Sequence, residues 1–342
     1  MATYKVRFQP VNIEIEVEER ETVLDAAFRQ GVLLMHGCKE GQCAACKSFL
    51  LEGDMTMKKY STFALPEFES EEGYVLLCRC MPDSDLDIEL INYDAELINS
   101  GVNVRELQAT VVDIETLTHD IRRLVLKLDD GERMEFKAGQ YADIRIPGTD
   151  EYRSYSMSNT PSTNDHLEFM IKIFPGGRFS SLLECLTIGQ KLEVKGPYGV
   201  FRLREQVQSE IICIGGGSGM APIWSLLSDM AERGIKRKAT YYYGARTRKD
   251  LFYLEQMQEM AQRLPNFTFV PVLSAGLDDT WEGEKGFVTD VVERAIPAGH
   301  RTLQIYLCGP GPMIDVALPM LARKGISEDR IFYDKFTPTG SA

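Results

Sequence analysis

Nowhere in the 342 residues does an apolar run approach the roughly 18 residues that a bilayer-spanning helix needs. The opening, Met1-Ala-Thr-Tyr-Lys-Val-Arg-Phe8, alternates polar and apolar and lacks the apolar block of a signal peptide, so a cytoplasmic location is expected, with no membrane partner. Internal repeats and low-complexity tracts are missing too, which excludes repeat arrays and collagen-like or disordered chains. Positive charge is scarce, with 38 Lys and Arg against 51 Asp and Glu. The deficit is uneven, because residues 1–96 hold 9 basic and 19 acidic residues and carry −10 of the total −13. Such a field repels phosphates, so nucleic acid is a poor partner and a protein with a basic patch a better one. What is present is ordinary for folded domains, with 44% hydrophobic and 26% charged residues, and the length predicts two or three of them.

The hydrophobic rhythm changes twice along the chain. Tyr4, Val6 and Phe8 alternate, as do Ile13, Ile15 and Val17, with Gln9–Asn12 as the turn of a hairpin. Thr22-Val-Leu-Asp25 opens a short helix that Gly31 stops. Short strands are expected at 47–51 and 86–91, and a linker at 97–106. Residues 107–205 read as all-β, with strands near 109–114, 122–128, 141–146, 167–172 and 191–194 set between Gly, Pro and Asp/Asn turns, a barrel pattern. From about 206 to 342, strands at 211–214, 239–243, 268–273 and 304–308 alternate with helices from 221, around 254–263, near 288–295 and at 313–324. That alternation predicts a doubly wound α/β parallel sheet.

Five of the eight cysteines fall in the first quarter, and disulfides are not expected without a secretory signal. Cys38-x4-Cys43-x2-Cys46, with 31 residues separating Cys46 from Cys78, has plant-type [2Fe–2S] spacing. Gly37, Gly41, Ala44 and Ala45 let backbone N–H groups approach the inorganic sulfides. A structural zinc site is the rival, although zinc loops usually repeat C-x2-C. Residues 36–89 resemble a plant-type ferredoxin, a β-grasp α+β domain, through His36-Gly-Cys-Lys-Glu-Gly-Gln-Cys-Ala-Ala-Cys46 and Leu77-Cys-Arg-Cys-Met-Pro-Asp-Ser-Asp85. That register makes Cys78 the fourth ligand and leaves Cys80 as the alternative. Cys185 and Cys213 are expected to be buried apolar residues.

Arg153-Ser154-Tyr155-Ser156 ends a barrel strand, and a flavin needs a cation, an aromatic face and a hydrogen bond near N5. Phe174-Pro-Gly176-Gly177-Arg-Phe-Ser180-Ser follows, where the glycines would admit phosphate to a helix N-terminus. Gly215-Gly-Gly217-Ser-Gly219-Met-Ala-Pro222 follows a strand and opens a helix, as pyrophosphate-binding loops do, without being G-x-G-x-x-G. These segments, with Cys308-Gly-Pro-Gly-Pro-Met313 and the aromatic Phe332-Tyr-Asp-Lys-Phe336, resemble the ferredoxin–NADP reductase superfamily over 107–342.

The resemblance implies an antiparallel β-barrel for FAD, held by Arg153, Tyr155 and Ser156, a nicotinamide beside Cys308, and a flavin face covered by Phe336. Tyr243-Gly-Ala-Arg-Thr-Arg-Lys-Asp-Leu251 looks like NADH-using reductases, so NADH is the expected donor; NADPH would draw on Arg246, Arg248 and Lys249. The domain order resembles reductase components of multicomponent bacterial oxygenases, closest to those of di-iron monooxygenases of the propane, methane and phenol types. It implies an oxidoreductase that takes hydride from NADH to FAD and passes single electrons through the cluster to a hydroxylase partner. The alternative is the reductase of a Rieske-type ring-hydroxylating dioxygenase.

Overall fold

Val6, Phe8, Ile15 and Val17 are buried while Lys5, Arg7, Glu14 and Glu16 face water, so the alternation resolves into two strands, β1 (Thr3–Gln9) and β2 (Ile13–Glu18). They pair antiparallel with Val6 opposite Ile15. The structure is a computed structural model and describes residues 2–98, 103–276, 280–297 and 299–336. It divides into two units, one of Met1–Arg105 with Pro197–Val200, the other of Glu106–Gly196 with Phe201–Ala342.

In the first unit, Thr22 caps α1 (Val23–Arg29) by accepting the Asp25 N–H at 3.2 Å, as the sequence signal predicts. Burial of Leu24 and Phe28 against the sheet contributes on the order of 2 kcal/mol each. The chain continues through β3 (Lys47–Glu52), β4 (Met55–Met57), α2 (Glu67–Glu72), β5 (Tyr74–Leu76), β6 (Cys80–Pro82), β7 (Leu86–Glu89) and α3 (Ala95–Ile98). The main sheet has the order β2-β1-β7-β3-β5, with β1 and β7 parallel, and β4 pairs with β6 apart from it. Sequence periodicity gave no sign of α2, β4, β5 or β6. α2 buries none of its residues and the strands have three each, too few for a period to register. The expected linker starts inside α3, which Leu97 and Ile98 anchor, and residues 99–102 lie outside the described residues.

The second unit opens with β8 (Arg105–Thr116), β9 (Ile121–Leu128), β10 (Tyr141–Arg145), β11 (Tyr152–Ser156), β12 (His166–Lys172) and β13 (Lys191–Tyr198). Their order is β11-β10-β13-β8-β9-β12, and an isolated bridge between Met157 and Phe169 joins the two ends into a barrel. After it come β14 (Ile211–Gly216), α4 (Met220–Glu232), β15 (Ala239–Ala245), α5 (Leu254–Arg263), β16 (Phe267–Leu273), β17 (Glu284–Lys285), α6 (Val288–Ala295), β18 (Gln304–Pro310), α7 (Gly311–Arg323) and β19 (Ile331–Phe336). The sheet is parallel with order β17-β16-β15-β14-β18-β19. The order reverses at β14, so the crevice for a ligand lies at the carboxyl ends of β14 and β18. Barrel and sheet share a core, with Ile121, Met170 and Phe201 in one buried cluster with Met220, Ile223 and Tyr241.

Two expectations need correcting here. Cys213 is buried on β14, but Cys185 is exposed, because it closes a 3-10 turn over Ser180–Glu184 whose buried position Leu183 occupies. The same short turn stands where a regular helix was expected after Gly177. Among the described residues no helix is long and apolar enough to cross a membrane.

Candidate electron-transfer site

The cysteine loop runs from the end of α1 to β3. Lys39, Gly41 and Ala44 adopt left-handed backbone angles, and a side chain on Gly41 would meet the Tyr60 Cβ at 2.8 Å. Alternating handedness turns successive N–H groups inward, a concave arrangement suited to anions. Cys38 Sγ accepts the N–H groups of Glu40 at 3.4 Å and Gln42 at 3.2 Å, and Cys43 Sγ accepts that of Cys38 at 3.2 Å. The bond with the Cys43 thiol, helped by those amides against the cost of burial, lowers the Cys38 thiol to about 6. Cys43 and Cys78 move the opposite way, each through its partner thiol (Cys38 and Cys46) and burial, and the Gly41 N–H is aimed at Cys78. The four sulfurs therefore sense one another in a pocket lined by donors, which fits a bridged, anionic iron–sulfur group. Cys80 is separate: fully buried on β6, it is pushed up to about 12 by burial and then Asp83, with no contribution from the four. Inside the same unit His36, two residues before Cys38, accepts the Gly199 N–H on Nε2 at 2.8 Å and donates from Nδ1 to Leu34 O at 2.7 Å.

On β11, Arg153 pairs in register with Ile144, Tyr155 with Ala142 and Ser156 with Tyr141. Strand alternation puts Arg153 and Tyr155 on one face and Ser154 and Ser156 on the other, so one ligand reaches Tyr155 and Ser156 together only at the strand's end. Ser154 is engaged with Asp143 at 2.6 Å. The Tyr155 ring lies 5.4 Å from that of Phe179, and burial raises its hydroxyl pKa. Arg153 meets Glu151 at 3.2 Å, and Arg178 binds the same carboxylate, which Arg178 first and Arg153 second hold below its ordinary range. Two guanidiniums converging on one anion match a pyrophosphate. In the sequence Arg178 carries no signal of its own beyond its neighbours Gly176 and Gly177. Gly177 lies tight against Ser180, whose Oγ accepts the Phe174 N–H at 3.2 Å.

At the end of β14 the chain turns through Gly215, Gly216 and Gly217 into α4, which has Pro222 in its first turn and no side-chain cap. A Cβ on Gly219 would stand 2.1 Å from the carbonyl oxygen of Cys308, so the glycine loop and the end of β18 touch backbone to backbone. Cys308 is fully buried and its thiol is pushed up, by burial first and then by Asp334, its register partner on β19. Phe336, half-buried, pairs with Pro310 two positions on. Arg246 is exposed just past β15, whereas Arg248 lies over Trp281 at 5.2 Å and donates to Thr280 at 2.6 Å. Asp250, accepting from the Thr247 N–H and hydroxyl, completes a capping box.

Asp334 is a second residue that the sequence did not mark, although it lies inside the aromatic segment Phe332–Phe336. Burial pushes its carboxyl up to about 7. An unfolded chain ionises this group near 4, the folded one only near 7, so the stability present at low pH is lost as pH rises between those values. Asp334→Asn is therefore expected to melt higher than the parent at pH 8, with the difference closing by pH 4. A pH-independent difference would show that the carboxyl is not held protonated.

Three family models match in this order: a 2Fe-2S iron-sulfur cluster binding domain over 6–83, an oxidoreductase FAD-binding domain over 108–203 and an oxidoreductase NAD-binding domain over 213–318. The reductase component of propane 2-monooxygenase from Rhodococcus jostii is 50% identical over 339 residues, covering 98% of this chain and 91% of its own. The reductase component of phenol 2-monooxygenase from a Pseudomonas strain is 39% identical over 336 residues, covering 98% and 94%. Among solved structures, the cytochrome P450 reductase GcoB from Amycolatopsis superposes with a TM-score of 0.88 at 32% identity, covering 98% of this chain and 99% of that one. The cofactors are a [2Fe–2S] cluster, FAD and NADH. With its ferredoxin, flavin and nicotinamide modules in one order from end to end, the chain belongs to the NADH-dependent iron–sulfur flavoprotein reductase components of multicomponent oxygenases.

Proposed function

We propose that this reductase works in the cytoplasm for a soluble di-iron monooxygenase acting on a short alkane, its hydroxylase being the electron acceptor. The observation that carries this reading is the 50% identity, sustained over nearly the whole chain, to a propane 2-monooxygenase reductase. The propane and phenol monooxygenase relatives, at 50% and 39% identity, stand above a toluate 1,2-dioxygenase relative at 32%, so the dioxygenase reading comes second. Residues 1–96 act as the ferredoxin module, 107–205 as the flavin barrel and 206–342 as the nucleotide module.

When bound, the flavin would take a single hydride, that is two electrons, and give electrons up one at a time, and the cluster would supply a one-electron relay. The chain's own residues set access and orientation. Cys38, Cys43, Cys46 and Cys78 ligate the irons, and the amides of Glu40, Gly41 and Gln42 offset the thiolates' charge. Arg153 and Arg178 would hold the flavin pyrophosphate, Tyr155 would offer an aromatic face to the ring, and Ser156 would supply a hydrogen bond to it. Gly215, Gly217 and Gly219 admit the dinucleotide to the start of α4, where Pro222 sets the first turn. Arg246 would serve the ribose side, the Cys308–Asp334 strand ends would line the nicotinamide site, and Phe336 would cover the flavin face.

Reconstitution with the oxygenase component of the Rhodococcus jostii propane 2-monooxygenase tests the reading. NADH, O2 and propane should yield propanol with water as the second product, and no product with a reductase that still consumes NADH would overturn it. Arg153→Ala should lower FAD retention and NADH oxidation together while the cluster spectrum survives. Full flavin occupancy in that variant would leave Arg153 a structural residue of β11.

A further inference from the structure

The first unit exposes the rings of Phe63 and Phe68, at 75% and 61%. They stand on a short segment whose geometry is tightly determined. The Ser61 N–H donates to Gly41 O at 3.0 Å, tying the segment to the cysteine loop. Ala64 and Leu65 are fully buried, and their N–H groups donate to Ser61 O at 2.9 and 3.2 Å. The Phe63 N–H bonds Ser61 Oγ at 3.2 Å. With its neighbours plugged into the core, Phe63 faces outward on a fixed turn. Pro66 then starts α2, which buries none of its side chains and carries Phe68.

The segment that carries these rings is acidic. Residues 61–73 contain four glutamates and no lysine or arginine. Glu69 is neutralised by Lys47, but Glu67, Glu71 and Glu72 are exposed and have no ion-pair partner among the described residues. Exposed aromatics on a rigid support are the residue type that dominates binding energy at interfaces, and surrounding charge selects and steers the partner.

From this combination we propose that Phe63 and Phe68, framed by Glu67, Glu71 and Glu72, form the docking surface for the electron-accepting protein. The acceptor face it fits has an apolar pocket for the rings and a rim of Lys and Arg for the glutamates. Because the segment is bonded to Gly41, whose N–H is aimed at Cys78, docking here brings the acceptor against the wall of the cluster loop.

The inference rests on the oxygenase reading above, and the test separates the two. Cluster-to-oxygenase electron transfer is measured by stopped flow with the Rhodococcus jostii oxygenase component, at several concentrations and salt levels. The double variant Phe63→Ala/Phe68→Ala should raise the half-saturating oxygenase concentration by about 30-fold. Its cluster absorbance and its NADH–ferricyanide rate should stay at the parent's values. Glu71→Lys/Glu72→Lys should also weaken docking, and the slowing by added salt seen with the parent should become shallower. An unchanged half-saturation in the aromatic variant overturns the docking surface while leaving the oxygenase reading intact. A parent protein that reduces no oxygenase at all overturns that reading and this inference with it. A parent dimer that becomes monomeric on losing the two rings would assign the patch to a second copy of the chain instead.

Discussion

Cys78→Ser is expected to strip the protein of its cluster, to end one-electron exit to the oxygenase, and to leave NADH-driven flavin reduction running. The four thiols that sense one another include Cys78, whose pKa moves through Cys46, burial and Cys38 in that order. A [2Fe–2S] group of this kind needs four such ligands. The control is Cys80→Ser, which should keep full iron and labile sulfide. Cys80 stands two residues away in sequence, yet its thiol is shifted by burial and then Asp83, and its side chain is sealed into the core. That control is expected to cost some stability, because it puts a hydroxyl where a small apolar group was. Iron and sulfide analysis with visible spectra decides the matter, and the reverse outcome would reassign the fourth ligand.

The second large effect is expected at Gly219. Its backbone lies in the ordinary right-handed region, so alanine meets no conformational obstacle there; what forbids it is space. The added carbon would sit 2.1 Å from the Cys308 carbonyl oxygen and 2.6 Å from its carbon, atoms of a backbone that cannot swing aside. Either the glycine loop or the end of β18 must move, and a shift of about 1 Å in a reacting pair can cost 10²-fold in rate. Gly219→Ala should thus lower flavin reduction by NADH by about 10²-fold, with the cluster spectrum unchanged. Gly217 is the contrast, with φ +57 and open space around it. Alanine there costs about 1 kcal/mol of backbone strain but displaces no other backbone, so it should weaken NADH binding while flavin reduction at saturating NADH stays near the parent rate. Stopped-flow traces of the two variants side by side would test the assignment, and equal losses would refute it.

Motifs with local causes were legible in the sequence. The Cys38–Cys46 spacing, the Thr22 cap, the alternation of Val6 with Phe8 and of Ile15 with Val17, and the strand-to-glycine turn at Gly215 each depend on residues a few positions apart. So do the barrel and the doubly wound sheet as rhythms, since strands and helices carry periods that neighbours reveal. Elements without a period escaped. α2 presents no buried face, and its acidic, aromatic character is meaningful only as surface.

Assignments between distant residues came from the tertiary structure. The Leu77–Asp85 register already favours Cys78 over Cys80; the fold adds where Cys80 goes, since β6 pairs with β4 through Met57 and Cys80. Arg178 meets Arg153 at one carboxylate because two loops of the barrel converge. Cys185, small and apolar, was read as buried until a 3-10 turn gave its place in the core to Leu183. Asp334 became significant only once β19 paired with β18 and set its carboxyl opposite Cys308. The sequence by itself determined which cofactors this chain is built for, because their binding loops are short and contiguous. The tertiary structure decided which side chains face one another across those loops, because strand register and burial are properties of the folded chain as a whole.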